Sequence, residues 1–323
     1  FISTYYFFDK IILISTYFGF FPSYFNLWLK TAEKNSDVDF LIYSDCEHGA
    51  LPENVNVVKT DFSDIQKKVQ SKFDFKIKLS TPYKLCDYKP AYGYIFEDDI
   101  KEYEYWGHFD LDTVLGRLTE FMPAQTYEKI YSHGHLTIYH NTEENNRRFM
   151  LDGAMSYKDA FTTDNILVFD ETNGIQIKYN LLKIPTYDPR CFADITRRTH
   201  KFNLSVILPK PEGFIYNYRH QVFYYENGGV YRAFLKDGEI CTQEFNYIHF
   251  SSRKMPIHFE NAENFFITPD GFFEKTAPVC REDFDKYNYT DEKLEKKAQN
   301  EYKKWRVKRK ISKITTSVKE KII

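Results

Sequence analysis

The sequence predicts an α/β fold, and three observations lead to that prediction. Short runs of β-branched and aromatic residues alternate with segments of helical periodicity, most clearly over the first sixty residues. The chain has 323 residues, enough to bury a large core in one α/β domain or in two small ones. No internal repeat or low-complexity segment breaks this rhythm. We therefore expect a sheet flanked by helices.

Aromatic residues make up 18% of the chain, with 26 Tyr and 30 Phe. We interpret most of them as core residues used in place of other apolar side chains, although such rings also serve as stacking platforms for sugars or bases. The five cysteines form no C-x-x-C or other metal-ligand spacing. The odd number of cysteines and the lack of such a spacing predict reduced thiols of an intracellular protein.

The formal net charge of −2 hides an asymmetry. Residues 291–323 contain 12 Lys/Arg and 5 Asp/Glu, whereas residues 1–290 contain 32 basic and 41 acidic residues, a net charge of −9. An acidic body with its basic residues in a tail argues against nucleic-acid binding as the main role. No run approaches the ~20 apolar residues of a spanning helix, and no small-residue cleavage site follows the apolar opening, so we predict neither a membrane span nor a signal peptide.

The opening of the chain predicts a strand at 11–16, a helix through 24–29, and further strands at 38–43 and 55–58. In open α/β sheets, ligands sit beyond the carboxyl ends of the strands. The turn after the first strand is therefore a candidate nucleotide-binding edge, with Thr16, Tyr17 and Gly19 as its residues. An ordinary βα turn explains these residues equally well.

A second candidate for the nucleotide lies before a probable helix through residues 94–96. Asp87 and Lys89 are placed at the entry of that helix by the pattern. A carboxylate and an ammonium there would suit a ribose hydroxyl and a phosphate, because a helix N-terminus already favours anions.

The stretch Trp106-Gly-His-Phe-Asp-Leu-Asp112 is the centre of the chain's predicted chemistry. A strand at 105–109 leads into Asp110 and Asp112, whose i, i+2 spacing puts both carboxylates on one side of an extended backbone. Two such carboxylates can share one Mg²⁺ or Mn²⁺, which prefer oxygen ligands and often bind substrate phosphates as well. Asp-x-Asp alone also occurs in solvated turns, so its context decides.

Further strands are predicted at 129–131 and 136–139, followed by a basic pair and an acidic pair. Arg147 and Arg148 are either a solvated helix face or a phosphate clamp that contacts the acceptor. Asp170 and Glu171 end an apolar run, and one of them would serve as a general base or hold an acceptor hydroxyl. If the run is a strand, only one of the two faces the site.

The last part of the body contains three more features. Asp194 lies in an apolar setting and is a candidate acceptor contact. The segment 221–234 predicts a hairpin around its Asn-Gly-Gly turn. A strand at 244–249 is predicted to end in His249, with Lys254 following. By default this histidine is structural, and it gains a role only if it meets Asp110 and Asp112 in space.

We divide the chain into a body, 1–290, and a basic amphipathic helical tail, 291–323. Apolar and aromatic residues recur in the tail at 3- and 4-residue spacing among many lysines; they are Tyr302, Trp305, Ile311, Ile314, Val318 and Ile322. That pattern predicts a helix on an anionic membrane surface. A solvated or partner-packed terminal helix gives the same pattern.

Five stretches together resemble a family of bacterial polysaccharide-biosynthesis glycosyltransferases of GT-A fold, many members of which are known only as an uncharacterised domain family. The similarity runs from about Ile11 to Phe273. It is carried by Lys84-Leu-Cys-Asp-Tyr-Lys-Pro-Ala-Tyr-Gly-Tyr, Trp106-Gly-His-Phe-Asp-Leu-Asp, Asn145-Asn-Arg-Arg-Phe-Met, Phe169-Asp-Glu and Tyr247-Ile-His-Phe-Ser-Ser-Arg-Lys-Met.

The resemblance implies a GT-A fold with a Rossmann-like nucleotide-binding half and a mixed sheet flanked by helices. It implies Mn²⁺ or Mg²⁺ held by Asp110, Asp112 and His249, with Lys254 on the diphosphate of a nucleotide-sugar donor. A leaving nucleoside diphosphate needs such a cation and positive side chains around its developing charge.

The resulting hypothesis is a cytoplasmic glycosyltransferase on the inner face of the membrane. It would move a sugar from a nucleotide-diphosphate donor, expected to be a UDP-sugar, to a surface-glycan or lipid-linked oligosaccharide acceptor. One alternative is a metal-dependent nucleotide-sugar or phosphodiester hydrolase, which would use the same aspartates with water as acceptor. The other is a non-catalytic carbohydrate-binding protein, for which the aromatic abundance suffices.

Overall fold

The computed structural model of the chain describes residues 10–172, 174–205 and 216–319, with side chains up to residue 307. The chain folds as two compact units. Unit 1 takes the described residues up to Phe21 together with Asn35–Leu111 and Met122–Pro189. Unit 2 takes Pro22–Lys34, Asp112–Phe121 and the described residues from Arg190 onward. The boundary therefore falls inside the Asp-x-Asp motif.

The strands of the described residues follow one another along the chain as β1 (Ile11–Tyr17), β2 (Val38–Ser44), β3 (Val55–Lys59), β4 (Tyr105–Phe109), β5 (Thr113–Leu115), β6 (Lys129–His133), β7 (Leu136–His140), β8 (Thr186–Tyr187), β9 (Ala193–Asp194), β10 (Gln221–Glu226), β11 (Gly229–Lys236), β12 (Glu239–Phe245), β13 (Tyr247–His249), β14 (Phe265–Thr268) and β15 (Gly271–Glu274). The strands predicted at 11–16, 38–43, 55–58, 105–109, 129–131 and 136–139 are all confirmed, each within a few residues.

The helices are α1 (Phe25–Glu33), α2 (Phe62–Ser71), α3 (Tyr92–Ile95), α4 (Glu143–Arg147), α5 (Tyr157–Phe161), α6 (Ile175–Leu181), α7 (Arg281–Tyr287) and α8 (Glu292–Lys319). Among the described residues, 3₁₀ helices cover the ten residues Pro82–Ala91 and the shorter segments Thr119–Phe121 and Arg148–Met150. Within the described residues, no helix combines the length and the apolarity needed to cross a membrane.

Unit 1 is built on a mixed sheet, which among the described residues has seven strands in the order β3-β2-β1-β4-β7-β6-β8. Its first four strands run parallel, whereas β7 is antiparallel to both β4 and β6. The core packs strand residues such as Ile12 and Trp106 against helix residues such as Val69 of α2, Phe161 of α5 and Tyr179 of α6. The predicted mixed sheet flanked by helices is confirmed and is consistent with a GT-A-like fold.

The strand directions decide what lies at each edge of this sheet. Ile14 of β1 pairs with His108 of β4 in parallel, so the turn after β1 and Asp110 after β4 lie at the same carboxyl edge. Because β7 runs antiparallel to β4, with Tyr105 opposite His140, the chain that follows β7 starts at the other edge. The segment with Arg147 and Arg148 therefore follows β7 from the edge opposite to Asp110.

Unit 2 contains an antiparallel sheet of order β12-β11-β10-β14-β15 and a small sheet of order β5-β13-β9. The predicted hairpin is confirmed, and its two-residue turn has positive φ at Asn227 (50°) and Gly228 (87°), as a type I′ turn requires. The single strand predicted at 244–249 is wrong. Asn246 interrupts it, and its backbone N–H donates to Cys191 O at 2.9 Å, so β12 and β13 join different sheets.

Residues 168–171, an apolar run that ends in two acids, form a turn instead of the expected end of a strand. Val168 has a φ of 62°, and the Glu171 N–H donates to Val168 O at 3.2 Å. The Ile175 N–H then donates back to Phe169 O at 2.7 Å, where α6 starts. The alternation of faces along a strand therefore does not apply to Asp170 and Glu171.

The predicted tail helix is confirmed as α8. Its first turn is capped by Asp291, whose Oδ1 accepts the N–H groups of Lys293 (2.8 Å) and Leu294 (2.9 Å). Ile322 and the side chains of Ile311, Ile314 and Val318 lie outside what the structure describes, so the distal half of the predicted stripe stays a prediction.

Candidate functional site

Unit 2 places His249 between two carboxylates. Its Nδ1 lies 2.7 Å from Asp194 Oδ1, and its Nε2 lies 3.3 Å from Asp112 Oδ1. All three side chains are largely shielded from water, with exposures of 13% for His249, 19% for Asp112 and 18% for Asp194. The histidine predicted to matter only if it met the Asp-x-Asp motif does meet the second aspartate of that motif.

Backbone pairing in the small sheet sets this arrangement. His249 is the register partner of Thr113 in β5 on one side and of Asp194 in β9 on the other. The Phe250 N–H donates to the Asp112 carbonyl at 2.9 Å, which fixes the start of β5 against the end of β13. Two short strands thus bring together residues that are more than fifty positions apart in the chain.

The turn after His249 completes the cluster. Ser251 and Ser252 both have positive φ, 52° and 60°, a strained conformation for residues with side chains. It turns the Ser252 N–H onto Asp112 Oδ2 and the Ser251 hydroxyl onto Asp194 Oδ1 at 3.2 Å. The local strain is offset by these two hydrogen bonds to carboxylates.

The electrostatics of this cluster shift the pKa of His249 and that of Asp194. Burial alone would lower the pKa of His249, but Asp112 and Asp194 outweigh it and hold that pKa well above its ordinary value. Burial would likewise raise the pKa of Asp194, yet the hydrogen bond and charge of His249, with the hydroxyls of Ser205 and Ser251, lower it. Two carboxylates around one imidazole therefore hold either a proton on the ring or an ion in its place.

The donor set fits a divalent metal. Asp112 offers a carboxylate oxygen and His249 offers Nε2, a combination that suits Mn²⁺. Asp194 accepts from Nδ1, the ring nitrogen that a metal-bound histidine usually donates to a carboxylate in order to fix its tautomer and orientation. The expectation that Asp194 contacts the acceptor is corrected, because His249, Ser205 and Ser251 occupy its oxygens.

Lys254 and Arg253 follow on the same turn but differ in their surroundings. The Arg253 guanidinium donates to the carbonyls of Thr196 and Thr199 and lies over the Phe202 ring. Lys254 is exposed, and no hydrogen bond or ion pair joins it to another described residue. Lys254 is thus the solvent-exposed cation of this turn.

Unit 1 holds a second charged cluster, centred on Lys89. The Lys89 ammonium donates to Asp110 Oδ1 at 2.6 Å and to Gly134 O at 2.8 Å, and lies 3.5 Å from Asp170 Oδ2. Its side chain is 11% exposed, and that of Asp170 is 5% exposed. Lys89 is therefore engaged inside the protein, which corrects the expectation that it reaches a donor phosphate from a helix entry.

One ammonium faces two carboxylates in this cluster, and these charges shift the pKa of Lys89 and that of Asp170. Burial acts to lower the pKa of Lys89, but Asp110 and Asp170 outweigh it and raise that pKa well above its usual value. Burial raises the pKa of Asp170 well above its usual range, an effect that Lys89 reduces and that Glu171 and Asp110 increase. Among the described residues, Asp170 Oδ1 is buried and has no hydrogen-bond partner.

Asp87, expected to bind the ribose, is fully buried and lies inside the 3₁₀ helix Pro82–Ala91 rather than at a helix entry. Its Oδ2 accepts from Lys84 Nζ at 2.6 Å, and its two oxygens accept the N–H groups of Leu167 (2.9 Å) and Phe169 (2.8 Å). This expectation is corrected. Asp87 anchors the segment that carries Asp170 and Glu171.

Gly134 explains how both acids of that segment reach one place. A Cβ on Gly134 would lie 2.3 Å from Asp170 Oδ2 and 2.9 Å from Glu171 Oε1, so a side chain there would force these groups to shift. Both carboxylates therefore approach the β6–β7 turn. Because the segment is a turn and not a strand, the argument that only one of them faces the site does not apply. Glu171 is the more exposed of the two.

The turn after β1 lies at the carboxyl edge, as expected. The Thr16 hydroxyl is 2.7 Å from the Tyr92 hydroxyl, and Tyr17 stacks on Phe21 with ring centroids 5.6 Å apart. The Gly19 N–H donates to Asp45 Oδ1 at 2.7 Å, with φ at 101°, a conformation that favours glycine. These residues stay candidates for binding the donor nucleotide.

Arg147 and Arg148 do not come to that edge. They follow β7 at the opposite end of the sheet, where Arg148 lies 3.0 Å from both Glu128 and Glu144. Arg147 lies over the Tyr94 ring, 4.8 Å from its centroid, beside a cavity of about 350 Å³. Arg148 is engaged in ion pairs within unit 1, whereas the expected contact of Arg147 with an acceptor stays a prediction.

The sequence missed the positioning residues of both clusters. Asp194 as the partner of His249 depends on a parallel pairing between β9 and β13, two and three residues long, which no periodicity reveals. Gly134, inside the short turn between β6 and β7, carries no sequence signal that singles it out. The stretch Lys84-Leu-Cys-Asp-Tyr-Lys89 does belong to the unit 1 cluster, but Asp87 and Lys89 contact other protein groups there and not the expected ligands.

The fold and the two clusters define a mixed α/β protein with an acidic, histidine-bearing centre suited to a divalent cation. A family model described as a family of unknown function, DUF6625, matches residues 13–276, and the chain belongs to that family. None of the curated proteins matches the chain.

Among solved structures, the chain is similar to a glycosyltransferase involved in the glycosylation of the major capsid of PBCV-1. The match has 10% sequence identity and a TM-score of 0.27, and it covers 57% of this chain and 84% of that chain. A likeness at this level carries no argument about function, so the functional proposal depends on this chain's own residues.

Proposed function

We propose that the protein is a metal-dependent glycosyltransferase that moves a sugar from a nucleotide-diphosphate donor, a UDP-sugar in the first instance, to a glycan acceptor. One observation carries the proposal: the Asp112–His249 pair with Asp194 behind the histidine. This arrangement puts a carboxylate oxygen and an imidazole nitrogen side by side and fixes the imidazole from behind, as a metal ligand requires.

The proposed metal is Mn²⁺ or Mg²⁺. Asp112 and His249 are its proposed ligands from unit 2, and Asp110, two residues before Asp112, is added from the Asp-x-Asp spacing. When bound, the ion supplies positive charge to the donor diphosphate as the sugar–phosphate bond breaks. Lys254 adds a second positive charge for the same diphosphate from the turn after His249.

The nucleotide is proposed to bind at the carboxyl edge of the unit 1 sheet, where Thr16, Tyr17 and Gly19 follow β1 and Asp110 follows β4. Binding sites of open α/β sheets form beyond the carboxyl ends of the strands. Lys89 holds Asp110 by its ammonium and is assigned a positioning role rather than a ligand role.

Glu171 is the proposed contact for the acceptor hydroxyl, because it is more exposed than its neighbour Asp170. Asp170 is ion-paired with Lys89 and buried, so it is assigned to positioning Lys89. A carboxylate within reach of the hydroxyl can orient it or take its proton as the new bond forms.

A thermal-shift panel of UDP-, GDP-, CMP- and dTDP-sugars, each with and without Mn²⁺, tests this proposal on the wild type and on Asp112→Ala. A ligand at 100 times its Kd that binds only the folded state adds roughly 2.7 kcal/mol, which a shift in Tm reveals. We expect one nucleotide class to stabilise the wild type only with Mn²⁺, and Asp112→Ala to lose that effect.

Two results would contradict the proposal. Absence of stabilisation by every donor would remove the nucleotide site, and stabilisation that ignores both Mn²⁺ and Asp112 would remove the metal centre. Product analysis with the stabilising donor completes the test, since free sugar released equally fast with and without glycan acceptors would make the protein a hydrolase.

A further inference from the structure

We propose that α8 and residues 196–201 of unit 2 form one basic and aromatic surface that binds the anionic face of a lipid bilayer. We call it the membrane surface. It consists of Arg197 and Arg198 from the loop, and of Tyr302, Trp305 and the exposed Lys303, Lys304 and Arg306 from α8. It includes none of the residues assigned to the metal or the donor, and its test does not depend on the glycosyltransferase proposal.

Two arginine–aromatic pairs form the centre of the membrane surface. Arg198 lies over the Tyr302 ring at 5.3 Å and Arg197 over the Trp305 ring at 5.6 Å. Tyr302 and Trp305 are one helical turn apart and stack with ring centroids 5.7 Å apart. Trp305 is nevertheless 39% exposed, and the neighbouring Val307 is 55% exposed.

Hydrogen bonds hold the first turns of α8 to the loop of residues 196–201, which fixes the helix against that loop. Glu295 accepts the N–H groups of His200 (3.1 Å) and Lys201 (2.7 Å). The Arg197 guanidinium in turn donates to Ser251 O, in the turn that follows His249. These hydrogen bonds connect α8, the loop of residues 196–201 and the turn at Ser251 within unit 2.

Charge complementarity selects the partner. Lys303, Lys304 and Arg306 are exposed on α8. Residues 303–313 contain seven Lys/Arg and no Asp/Glu, whereas residues 1–290 carry a net charge of −9. A dense cation patch on an otherwise acidic chain is attracted to anionic headgroups, and Trp and Tyr rings favour the boundary between headgroups and acyl chains.

The three tryptophans of the chain make a direct test possible. Trp28 and Trp106 are fully buried, and Trp305 is the one that meets solvent. The test adds vesicles of phosphatidylcholine with phosphatidylglycerol, or of phosphatidylcholine alone, to the full chain and follows Trp emission and co-sedimentation. We expect a blue shift and co-sedimentation with the anionic vesicles only, both weakened by salt.

The variant Lys303→Gln/Lys304→Gln/Arg306→Gln should lower the vesicle partition coefficient roughly 100-fold, because each basic residue near an anionic surface contributes about a fivefold factor. The matched control removes three exposed unit 1 lysines, Lys59→Gln/Lys67→Gln/Lys101→Gln, and should leave partitioning within about threefold of the wild type. Trp305→Phe should abolish the emission shift while co-sedimentation persists.

Three results would overturn the proposal: no co-sedimentation with anionic vesicles, equal binding to neutral vesicles, or equal loss of partitioning in both triple variants. Inorganic phosphate and a single-stranded oligonucleotide distinguish other sources of anionic groups. If either shifts the Trp305 emission as strongly as anionic vesicles do, the surface binds phosphate groups in general, and the membrane assignment is wrong.

Discussion

The Lys89 cluster of unit 1 and the His249 cluster of unit 2 both gather two carboxylates, yet they balance charge in opposite ways. In unit 1 the cation is a side chain: Lys89 contacts Asp110 and Asp170 directly. In unit 2 an imidazole stands between Asp112 and Asp194, and it is a cation only when protonated. Lys89 gives the first cluster a permanent positive charge, whereas the positive charge of the second depends on protonation of His249 or on a bound ion.

This difference separates Asp87 and Asp170 from Asp112. Asp110 also contacts an ammonium, and it is a proposed ligand through the Asp-x-Asp spacing alone. Asp87 and Asp170 look like active-site acids in sequence, but each has an internal cation, Lys84 or Lys89. A buried carboxylate with its own ammonium does not need a metal to offset its desolvation. The Asp112 carboxylate instead contacts His249 and the Ser252 N–H, neither of which is a permanent cation.

Removal of the internal cation should have the largest effect on stability. Lys89→Met leaves Asp110 and Asp170 without their ammonium, so we expect a loss of about 3 kcal/mol in the free energy of unfolding, measured by urea denaturation. The value lies at the low end for a broken buried pair because Asp110 is 34% exposed and can be hydrated.

Lys101→Met is the matched control for this change. Lys101 also pairs with an aspartate at 2.6 Å, but both side chains are more than 60% exposed, so its loss should leave the urea midpoint nearly unchanged. Equal urea midpoints for the two variants would show that Lys89 does not stabilise the unit 1 cluster.

Crowding at the β6–β7 turn should have a somewhat smaller effect. Gly134→Ala places a methyl group 2.3 Å from Asp170 Oδ2 and forces the segment 167–171 to shift, at a cost of about 1–3 kcal/mol in thermal or urea unfolding. Gly49→Ala is the control, because nothing lies within 4 Å of the position that its methyl group would take and its φ is not positive. A Gly134→Ala protein as stable as Gly49→Ala would disprove the close approach of Asp170.

Removal of the Asp194 charge, which faces Nδ1 of His249, should weaken metal binding without unfolding unit 2. Asp194→Asn keeps the shape of the side chain but removes the charge that orients His249, so we expect the Mn²⁺ Kd to rise about 10- to 100-fold by calorimetric titration. Asp285→Asn removes a surface carboxylate 3.5 Å from His220 and serves as the control with unchanged Kd. Identical Kd values for the two variants would contradict the positioning role of Asp194.

Much of unit 1 follows from the sequence, because its strands are long runs of β-branched and aromatic residues with clear turns between them. The pattern predicts Ile11–Tyr17, Val38–Ser44 and Tyr105–Phe109 nearly residue by residue. It also finds the Asp-x-Asp motif, which follows the strongly patterned strand Tyr105–Phe109, and it finds His249, although the strand ending there has three residues and not six. The partition of the chain into interleaved units does not follow from the sequence, because it depends on long-range contacts.

The details of the site escape prediction for physical reasons. Asp194 lies in a two-residue strand, too short for any periodicity, and its partner is 55 positions away. The turn at Asp170 has a positive φ at Val168, a conformation that a β-branched residue does not suggest. The sequence predicts that Lys89 faces a ligand, but a lysine's reach into a buried acidic pocket depends on the surrounding fold rather than on its neighbours in sequence.

The metal centre is tested most directly by a Mn²⁺ titration followed by electron paramagnetic resonance on the wild type, His249→Ala and His220→Ala. We predict that the wild type and His220→Ala bind one Mn²⁺ with similar affinity and that His249→Ala loses this site, because His220 is a surface histidine beside Asp285. Equal Mn²⁺ binding by all three proteins, or no binding by the wild type, would contradict the metal centre and the function proposed from it.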